Sequence, residues 1–270
     1  MSGNNTAALD HHRIVSREAW LRERKALLAE EKEMTRLRDK ISAKRRELPW
    51  VRIEKTYLFD TPQGKKTLAE LFDGRSQLII KHFMLAPGQR DGCVGCSFES
   101  DHVDGALMHI EHHDVTYVAV ARAPLAEIEA FKTRMRWQFK WVSSCGSDFN
   151  YDFNASFTPE QIANGPVVYN YQETKVPLED LSGFSIFYKD GKGDVFHTYS
   201  TFGRGAEEVL GSYMFLDMTP KGRNEQGPNH NLTDWVRHHD RYNAAGHVNP
   251  LGRWVAGENA TSCCHSSAAK

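Results

Sequence analysis

The sequence lacks an excess of charge of either sign, and it lacks any long apolar run. It has 34 Lys and Arg against 35 Asp and Glu in 270 residues, a formal net charge of −1, so no overall field attracts it to nucleic acid or to a membrane surface. No stretch approaches the roughly 18 consecutive apolar residues of a membrane span, and no apolar signal-peptide segment follows the polar N-terminus. We therefore expect a cytoplasmic protein that binds neither nucleic acid nor a membrane.

Cysteine is also scarce, with five residues in the chain. They form a close pair (Cys93 and Cys96), a single residue (Cys145) and a tail pair (Cys263 and Cys264), unlike the even framework of a disulfide-stabilised secreted domain. A second C-x-x-C, a G-x-S-x-G motif and a P-loop are absent, which weakens a four-cysteine zinc site and leaves a serine hydrolase or a nucleotide-phosphate site without sequence support. We interpret Cys145 as a packing residue and the tail pair as incidental.

A long segment without Gly or Pro lies between Ser16 and Pro49. The apolar residues that recur in it every seven positions are Trp20, Leu27, Met34, Ile41 and Leu48. This spacing predicts an amphipathic helix of about 30 residues, with Ser16 as a plausible N-cap. Because a single apolar stripe on so polar a helix must pack somewhere, we expect it to cover its own domain or to form a homodimer. An interaction module without catalytic activity is therefore one alternative function.

Beyond Pro49 the pattern changes to short strands and helices. Residues 77–84 and 115–120 are apolar runs typical of strands buried on both faces, and a helix is predicted between them over residues 97–112. Residues 184–188 and 195–199 flank a turn and predict a β-hairpin. The order favours an α/β fold with a mixed sheet flanked by helices, and with an insertion before the final hairpin.

We divide the chain into four parts on this basis. A flexible N-terminus of residues 1–15 precedes the long amphipathic helix of residues 16–48. The α/β domain covers residues 49–216, and residues 217–270 form a C-terminal extension. Its last stretch, from residue 246, is expected to be loose.

The strongest chemical signal is Cys93-Val94-Gly95-Cys96, which lies between a predicted buried strand and a helix start. A helix N-terminus stabilises a thiolate, the form of cysteine that attacks disulfides and peroxides. A second cysteine one turn later can resolve the resulting mixed disulfide. We therefore predict Cys93 as the nucleophile and Cys96 as the resolving thiol of a redox enzyme that needs no cofactor.

Histidines after the dithiol suggest a rival metal site. If the predicted helix continues, His102, His109 and His113 share one face, and with Cys93 and Cys96 they could bind copper or zinc. The alternative is that these histidines are partly exposed helix residues without a metal. A further alternative is that the two cysteines are unrelated small buried residues.

Several segments carry a resemblance to a known family. They are Leu48-Pro49-Trp50, Tyr57-Leu58-Phe59-Asp60, Leu68-Ala69-Glu70-Leu71-Phe72-Asp73-Gly74, Cys93-Val94-Gly95-Cys96-Ser97-Phe98, Val195-Phe196-His197-Thr198-Tyr199-Ser200, Leu216-Asp217-Met218-Thr219-Pro220-Lys221-Gly222-Arg223 and Trp235-Val236-Arg237-His238-His239-Asp240. From about residue 15 to residue 242 the chain resembles a bacterial thioredoxin-like family of unknown function, whose members are described as dithiol-disulfide oxidoreductases.

The resemblance implies a thioredoxin-like fold with its dithiol at Cys93 and Cys96. The implied partners are a small-molecule or protein disulfide or peroxide as substrate and a thiol reductant that recycles the pair, which makes the protein a dithiol-disulfide oxidoreductase or thiol peroxidase-like. Two departures matter. The first is that Val94-Gly95 stands between the cysteines, where the family is expected to have a proline or serine, and that Glu99 stands where an aromatic residue is usual. The second is that Gly183 stands where thioredoxins have the proline that binds extended substrates, which favours a small-molecule or peroxide substrate or a metal.

Overall fold

The computed structural model describes residues 12–257 of the chain, which divides into two compact units, Met1–Pro49 and Trp50–Lys270. Cys263, Cys264 and most of the predicted flexible N-terminus lie outside the described residues. Among the residues described, no helix is both long and apolar enough to cross a membrane.

The first unit contains the predicted long helix, α1 (Arg17–Arg46). Ser16 caps it as expected, because its Oγ accepts a hydrogen bond from the Ala19 N–H at 3.3 Å. None of its residues is buried. Trp20 is 46% exposed, and Leu27 is 50% exposed, so the apolar stripe has the accessibility that a partner surface requires.

As far as residue 257, the second unit contains the sheet and six α-helices. The strands are β1 (Val51–Arg52), β2 (Leu58–Thr61), β3 (Gly64–Thr67), β4 (Gln77–His82), β5 (Val115–Ala121), β6 (Lys140–Ser143), β7 (Val167–Tyr169), β8 (Gln172–Thr174), β9 (Gly183–Lys189), β10 (Val195–Phe202), β11 (Gly246–Val248) and β12 (Trp254–Ala256). The helices are α2 (Val94–Ser100), α3 (Asp104–His112), α4 (Leu125–Met135), α5 (Phe149–Asp152), α6 (Pro159–Ala163) and α7 (Gly211–Leu216). Short 3₁₀ segments lie at Glu70–Phe72, Gly203–Val209, Leu232–Asp234 and His239–Arg241.

Eight strands form one mixed sheet in the order β1-β10-β9-β4-β5-β6-β2-β3. The central pairs β4–β5 and β5–β6 are parallel, whereas β9 is antiparallel to both β4 and β10. Helices α5 and α6 and strands β7 and β8 make up the insertion before the β9–β10 hairpin. This arrangement confirms the predicted α/β class, a mixed sheet flanked by helices in a chain that also has a long N-terminal helix.

Apolar clusters cover both faces of the sheet. One contains Phe83, Trp141 and the two cysteines of the dithiol, and the other contains Phe72 and Phe149. Because β4 is buried on both sides, every side chain at its C-terminal end is removed from water. The loop of residues 83–92 leads from this buried end to the dithiol.

The single helix predicted over residues 97–112 is wrong, because α2 ends at Ser100 and α3 begins at Asp104. The Asp101 carboxylate accepts a hydrogen bond from Trp137 Nε1 at 2.8 Å. The Asp104 carboxylate accepts the backbone N–H groups of residues 138 and 139 at 2.9 and 3.0 Å. These long-range bonds hold both carboxylates against the β6 side of the fold, and the chain between them forms a tight turn with i to i−3 bonds.

The loose stretch expected from residue 246 is also corrected within the described part of the chain. Strands β11 and β12 pair in an antiparallel hairpin, with Val248 opposite Trp254. Val248 is buried and packs in a third apolar cluster with Val94 and Val236. Long-range packing therefore orders a segment that has little local signal of its own.

Candidate active site

The dithiol lies at the junction of β4 and α2, as predicted. Cys93 is the N-cap of α2 and Cys96 falls in its first turn. Both are free thiols, with Cys93 8% exposed and Cys96 1% exposed. The Cys93 N–H donates to Met84 O at 3.2 Å, and Cys93 O accepts from the N–H and the Oγ of Ser97 at 3.0 and 2.8 Å. The backbone on both sides of Cys93 is therefore fixed.

Gly92 explains how the chain reaches this position. A Cβ at residue 92 would lie 2.5 Å from the Phe83 ring and 2.8 Å from the Phe131 ring. Only glycine lets the two aromatic rings pack against the backbone immediately before Cys93. The Gly92 carbonyl also accepts a hydrogen bond from Nε2 of the buried His238 at 2.9 Å.

A lysine inside the core faces the dithiol. Lys81, in β4, is fully buried, and its Nζ lies 4.6 Å from the centre of the Phe184 ring. Its ammonium donates to the Glu99 carboxylate and to Ser182 Oγ, the latter at 2.5 Å. Burial lowers the pKa of Lys81, and the nearby thiols of Cys96 and Cys93 oppose that shift. A buried ammonium needs such partners.

The two thiols differ in their readiness to ionise. Burial raises the pKa of Cys96, but the hydrogen bond from Cys93, the charge of Lys81 and bonds from Met84 and Ser182 outweigh it and lower that pKa to about 5. The hydrogen bond to Cys96, together with burial, raises the pKa of Cys93 well above its usual range. The two thiols therefore titrate together, and their hydrogen bond and the charge of Lys81 favour one negative charge on the dithiol. The roles of nucleophile for Cys93 and resolving thiol for Cys96 stay a prediction.

The histidines of the metal hypothesis are placed apart from the dithiol. His102 lies in the turn between α2 and α3, where Nδ1 donates to Phe98 O at 2.7 Å and Nε2 accepts from the Ser212 N–H at 3.0 Å. His109 and His113 are exposed at the C-terminal end of α3. Across residues 12–257, no three His, Cys, Asp or Glu side chains converge in a way that could hold a metal ion. The structure therefore does not bring together the five residues of that hypothesis.

Sequence reasoning noted Glu99 only as a departure from the family, and it missed four other groups around the dithiol: Lys81, Ser182, Gly252 and Arg253. A lysine within the apolar run of residues 77–84, and a glutamate in place of an aromatic residue, were the two available signals. The C-terminal residues had no such signal. Cys145 is exposed, so its interpretation as a packing residue is wrong.

Comparisons with known proteins identify a family and a group of similar structures. A sequence profile described as "Bacterial protein of unknown function (DUF899)" matches residues 9–242. No curated protein matches the sequence. A mutant of peroxiredoxin Q from Xanthomonas campestris is similar in structure, with 13% identity, 58% of this chain and 90% of that chain covered, and a TM-score of 0.39. Peroxidoxin BcpB from Mycobacterium tuberculosis is similar at 10% identity, with 61% and 95% covered and a TM-score of 0.39. The mitochondrial 2-Cys peroxiredoxin from Plasmodium falciparum is similar at 13% identity, with 63% and 94% covered and a TM-score of 0.36.

Proposed function

The chain belongs to the bacterial family of unknown function DUF899, and from its dithiol we propose that it is a dithiol-disulfide oxidoreductase. The observation that carries this proposal is a pair of free, hydrogen-bonded cysteines beside a buried lysine, with the pKa of Cys96 lowered to about 5. A dithiol that holds one negative charge near neutral pH is the reduced form that attacks a disulfide.

Cys93 is assigned the first attack because it is the more exposed of the two sulfurs. Its thiol donates its hydrogen bond to the Cys96 thiolate, so Cys96 is placed to take the proton as Cys93 becomes nucleophilic. The positive charge of Lys81 stabilises the negative charge of the dithiol before the attack. Cys96 thus serves first as base and then as resolving thiol.

The reaction proceeds in two exchange steps. The Cys93 sulfur bonds to one sulfur of the substrate disulfide, the substrate S–S bond breaks and the first thiolate leaves, while the Cys93 proton passes to Cys96. The Cys96 sulfur then bonds to Cys93, the mixed disulfide breaks, and the second product leaves as a thiol with the proton of Cys96. The substrate gains two electrons, and the protein is left with a Cys93–Cys96 disulfide.

An external thiol must then reduce that disulfide, and we assign this role to a low-molecular-weight thiol or a dithiol protein. A hydroperoxide is the second oxidant to consider, because attack by Cys93 on its terminal oxygen would break the O–O bond, release the alcohol and give a sulfenic acid. Cys96 would then resolve this acid to the disulfide with loss of water. Small-molecule and protein disulfides are both candidates for the substrate.

The test is turnover of hydroxyethyl disulfide, and of a hydroperoxide, with a thiol reductant and three single variants. Cys93→Ser should abolish turnover. Cys96→Ser should stop after one step, with a mixed disulfide on Cys93 detectable by mass spectrometry. Cys145→Ser is the matched control, since it removes an exposed cysteine, and it should match the unsubstituted protein.

Two results would contradict the proposal. Turnover that survives Cys93→Ser would remove Cys93 from the mechanism, and a mixed disulfide trapped on Cys96 in that variant would reverse the two roles. Elemental analysis of the purified protein separates the redox function from the copper or zinc alternative, because a stoichiometric metal released together with two titratable thiols would favour a metal site.

A further inference from the structure

The turn that joins β11 to β12, residues 249–253, lies directly over the dithiol; we call it the hairpin tip. It is closed by backbone bonds between Asn249 and its far end: the Gly252 N–H donates to Asn249 O, and the Asn249 N–H donates to Arg253 O, both at 2.9 Å. Asn249 Oδ1 also accepts the N–H groups of Leu251 and Arg253, each at 3.0 Å. The tip is therefore a fixed turn rather than a freely moving loop.

Gly252 is the residue of the tip that meets the dithiol. Its carbonyl accepts the Val94 N–H at 3.0 Å, which is the first helical N–H after Cys93. A Cβ built at residue 252 would lie 3.1 Å from Cys93 Sγ, and φ is +72° there. The backbone of the tip thus rests against the sulfur of Cys93, and a side chain at this position would have both strained backbone and a close contact.

Arg253 ties the tip to the loop that carries Cys93. Its Nη1 donates to Met84 O at 3.3 Å and to Asp91 O at 3.4 Å, so it bridges the two ends of the loop between β4 and α2. Within residues 12–257 its guanidinium has no carboxylate partner. Behind it, Arg241 lies over the Trp254 ring at 5.3 Å and pairs with Asp91 at 2.8 Å, which holds β12 in place.

A cavity of about 700 Å³ borders the tip through Arg253. It is also lined by Arg122, Asp180 and Leu178, and Leu178 packs on the apolar cluster that contains the dithiol. Arg122 is already paired with Asp180 at 2.6 Å. This volume is in the range that accommodates a small molecule, and its lining reaches the tip without including either cysteine.

We propose that the hairpin tip is a size filter, which lets the dithiol react with low-molecular-weight disulfides and keeps out protein disulfides. An extended polypeptide substrate would need backbone partners beside the reacting sulfur. The Val94 N–H is not free for this, because it already donates to the Gly252 carbonyl, and the Gly252 backbone lies against Cys93. A small disulfide needs only access to the sulfur itself. The inference rests on the proposed function for its substrates, and the filter can be measured without turnover.

The experiment compares reduction of hydroxyethyl disulfide with reduction of insulin in the full chain. Gly252→Ala, which pushes the tip from Cys93, and Arg253→Met, which removes its tether, should each raise the ratio of the insulin rate to the small-disulfide rate. We expect a rise of about tenfold or more, equivalent to about 1.4 kcal/mol. Gly222→Ala is the matched glycine control, because φ is +59° there and its Cβ would meet nothing within 4 Å. Arg237→Met is the matched arginine control, since Arg237 also bonds only backbone carbonyls.

A second readout separates the filter from the proposed function. Alkylation of Cys93 by iodoacetamide and by a maleimide joined to a large polyethylene glycol reports access without any turnover. If no variant turns over any disulfide but the large-to-small alkylation ratio rises in Arg253→Met, the filter stands and the proposed function fails. If the ratio of the insulin rate to the small-disulfide rate and the ratio of large to small alkylation in Arg253→Met both equal those of the unsubstituted protein, the filter is wrong. Should Gly252→Ala fail to fold, Arg253→Met decides alone.

Discussion

Replacing Lys81 by Met should raise the pKa of Cys96 and so reduce the fraction of thiolate near neutral pH. Cys96 has its pKa lowered from 9.0 to about 5 despite burial, with Cys93 and Lys81 among the causes. A unit charge about 5 Å away at an effective dielectric constant of about 20 is worth about 3 kcal/mol, or a change of about 2 in pKa. Without the ammonium, the pKa of Cys96 should therefore move from about 5 to near neutrality or above.

The assay follows thiolate absorbance in the ultraviolet and the rate of alkylation by iodoacetamide as functions of pH. In the unsubstituted protein one thiolate per dithiol should be present throughout the neutral range. In Lys81→Met the midpoint should rise by about 2 in pH, so that about half of the thiolate remains at pH 7 and alkylation at that pH slows about twofold. Lys81→Arg retains the positive charge, so its titration midpoint should lie closer to that of the unsubstituted protein. A midpoint raised by lost packing alone would not be lowered by the arginine.

The substitution leaves the Glu99 carboxylate largely buried without its partner, which destabilises the fold. The double variant Lys81→Met with Glu99→Gln removes both charges and provides a folded alternative. Lys189→Met serves as the matched control, because Lys189 also lies over an aromatic ring, that of Phe72 at 4.9 Å. A titration midpoint unchanged in both the single and the double variant would refute the electrostatic reasoning.

Two further predictions concern stability and association. Burial lowers the pKa of His82 to about 3, below the value of about 6.5 in an unfolded chain. The unfolded state therefore binds more protons than the folded state as the pH falls below about 6.5. At pH 5 the free energy of unfolding should be lower by about 2 kcal/mol than at neutral pH. Urea unfolding should show this loss reduced in His82→Gln and retained in a variant of the exposed His113; equal losses in both would contradict it. For α1, Leu27→Glu with Met34→Glu should lower the mass in solution measured by light scattering, and Lys32→Glu on the opposite face should not. A protein that is already monomeric without substitutions would show that the helix does not form a homodimer.

Local sequence determined the elements whose signals lie within a few residues. The cap at Ser16 and the long segment without Gly or Pro specify α1 in isolation from the rest of the chain. Apolar runs specify β4 and β5, because strands buried on both faces need such composition. The spacing of three positions places Cys93 and Cys96 within one helical turn of each other. These parts of the fold and of the candidate site could be predicted.

Tertiary structure decided how the dithiol is charged and covered. The helix after it breaks because Asp101 and Asp104 bond to groups more than 30 residues away, which no local periodicity records. Lys81 becomes a neighbour of Cys96 only once β4 is buried in the sheet. Gly252 reaches Cys93 across about 160 residues of chain because the β11–β12 hairpin packs on Val94. The sequence by itself determined that two cysteines share one helical turn; burial and long-range contacts, which are properties of the folded chain alone, decided how the two thiols ionise and what can reach them.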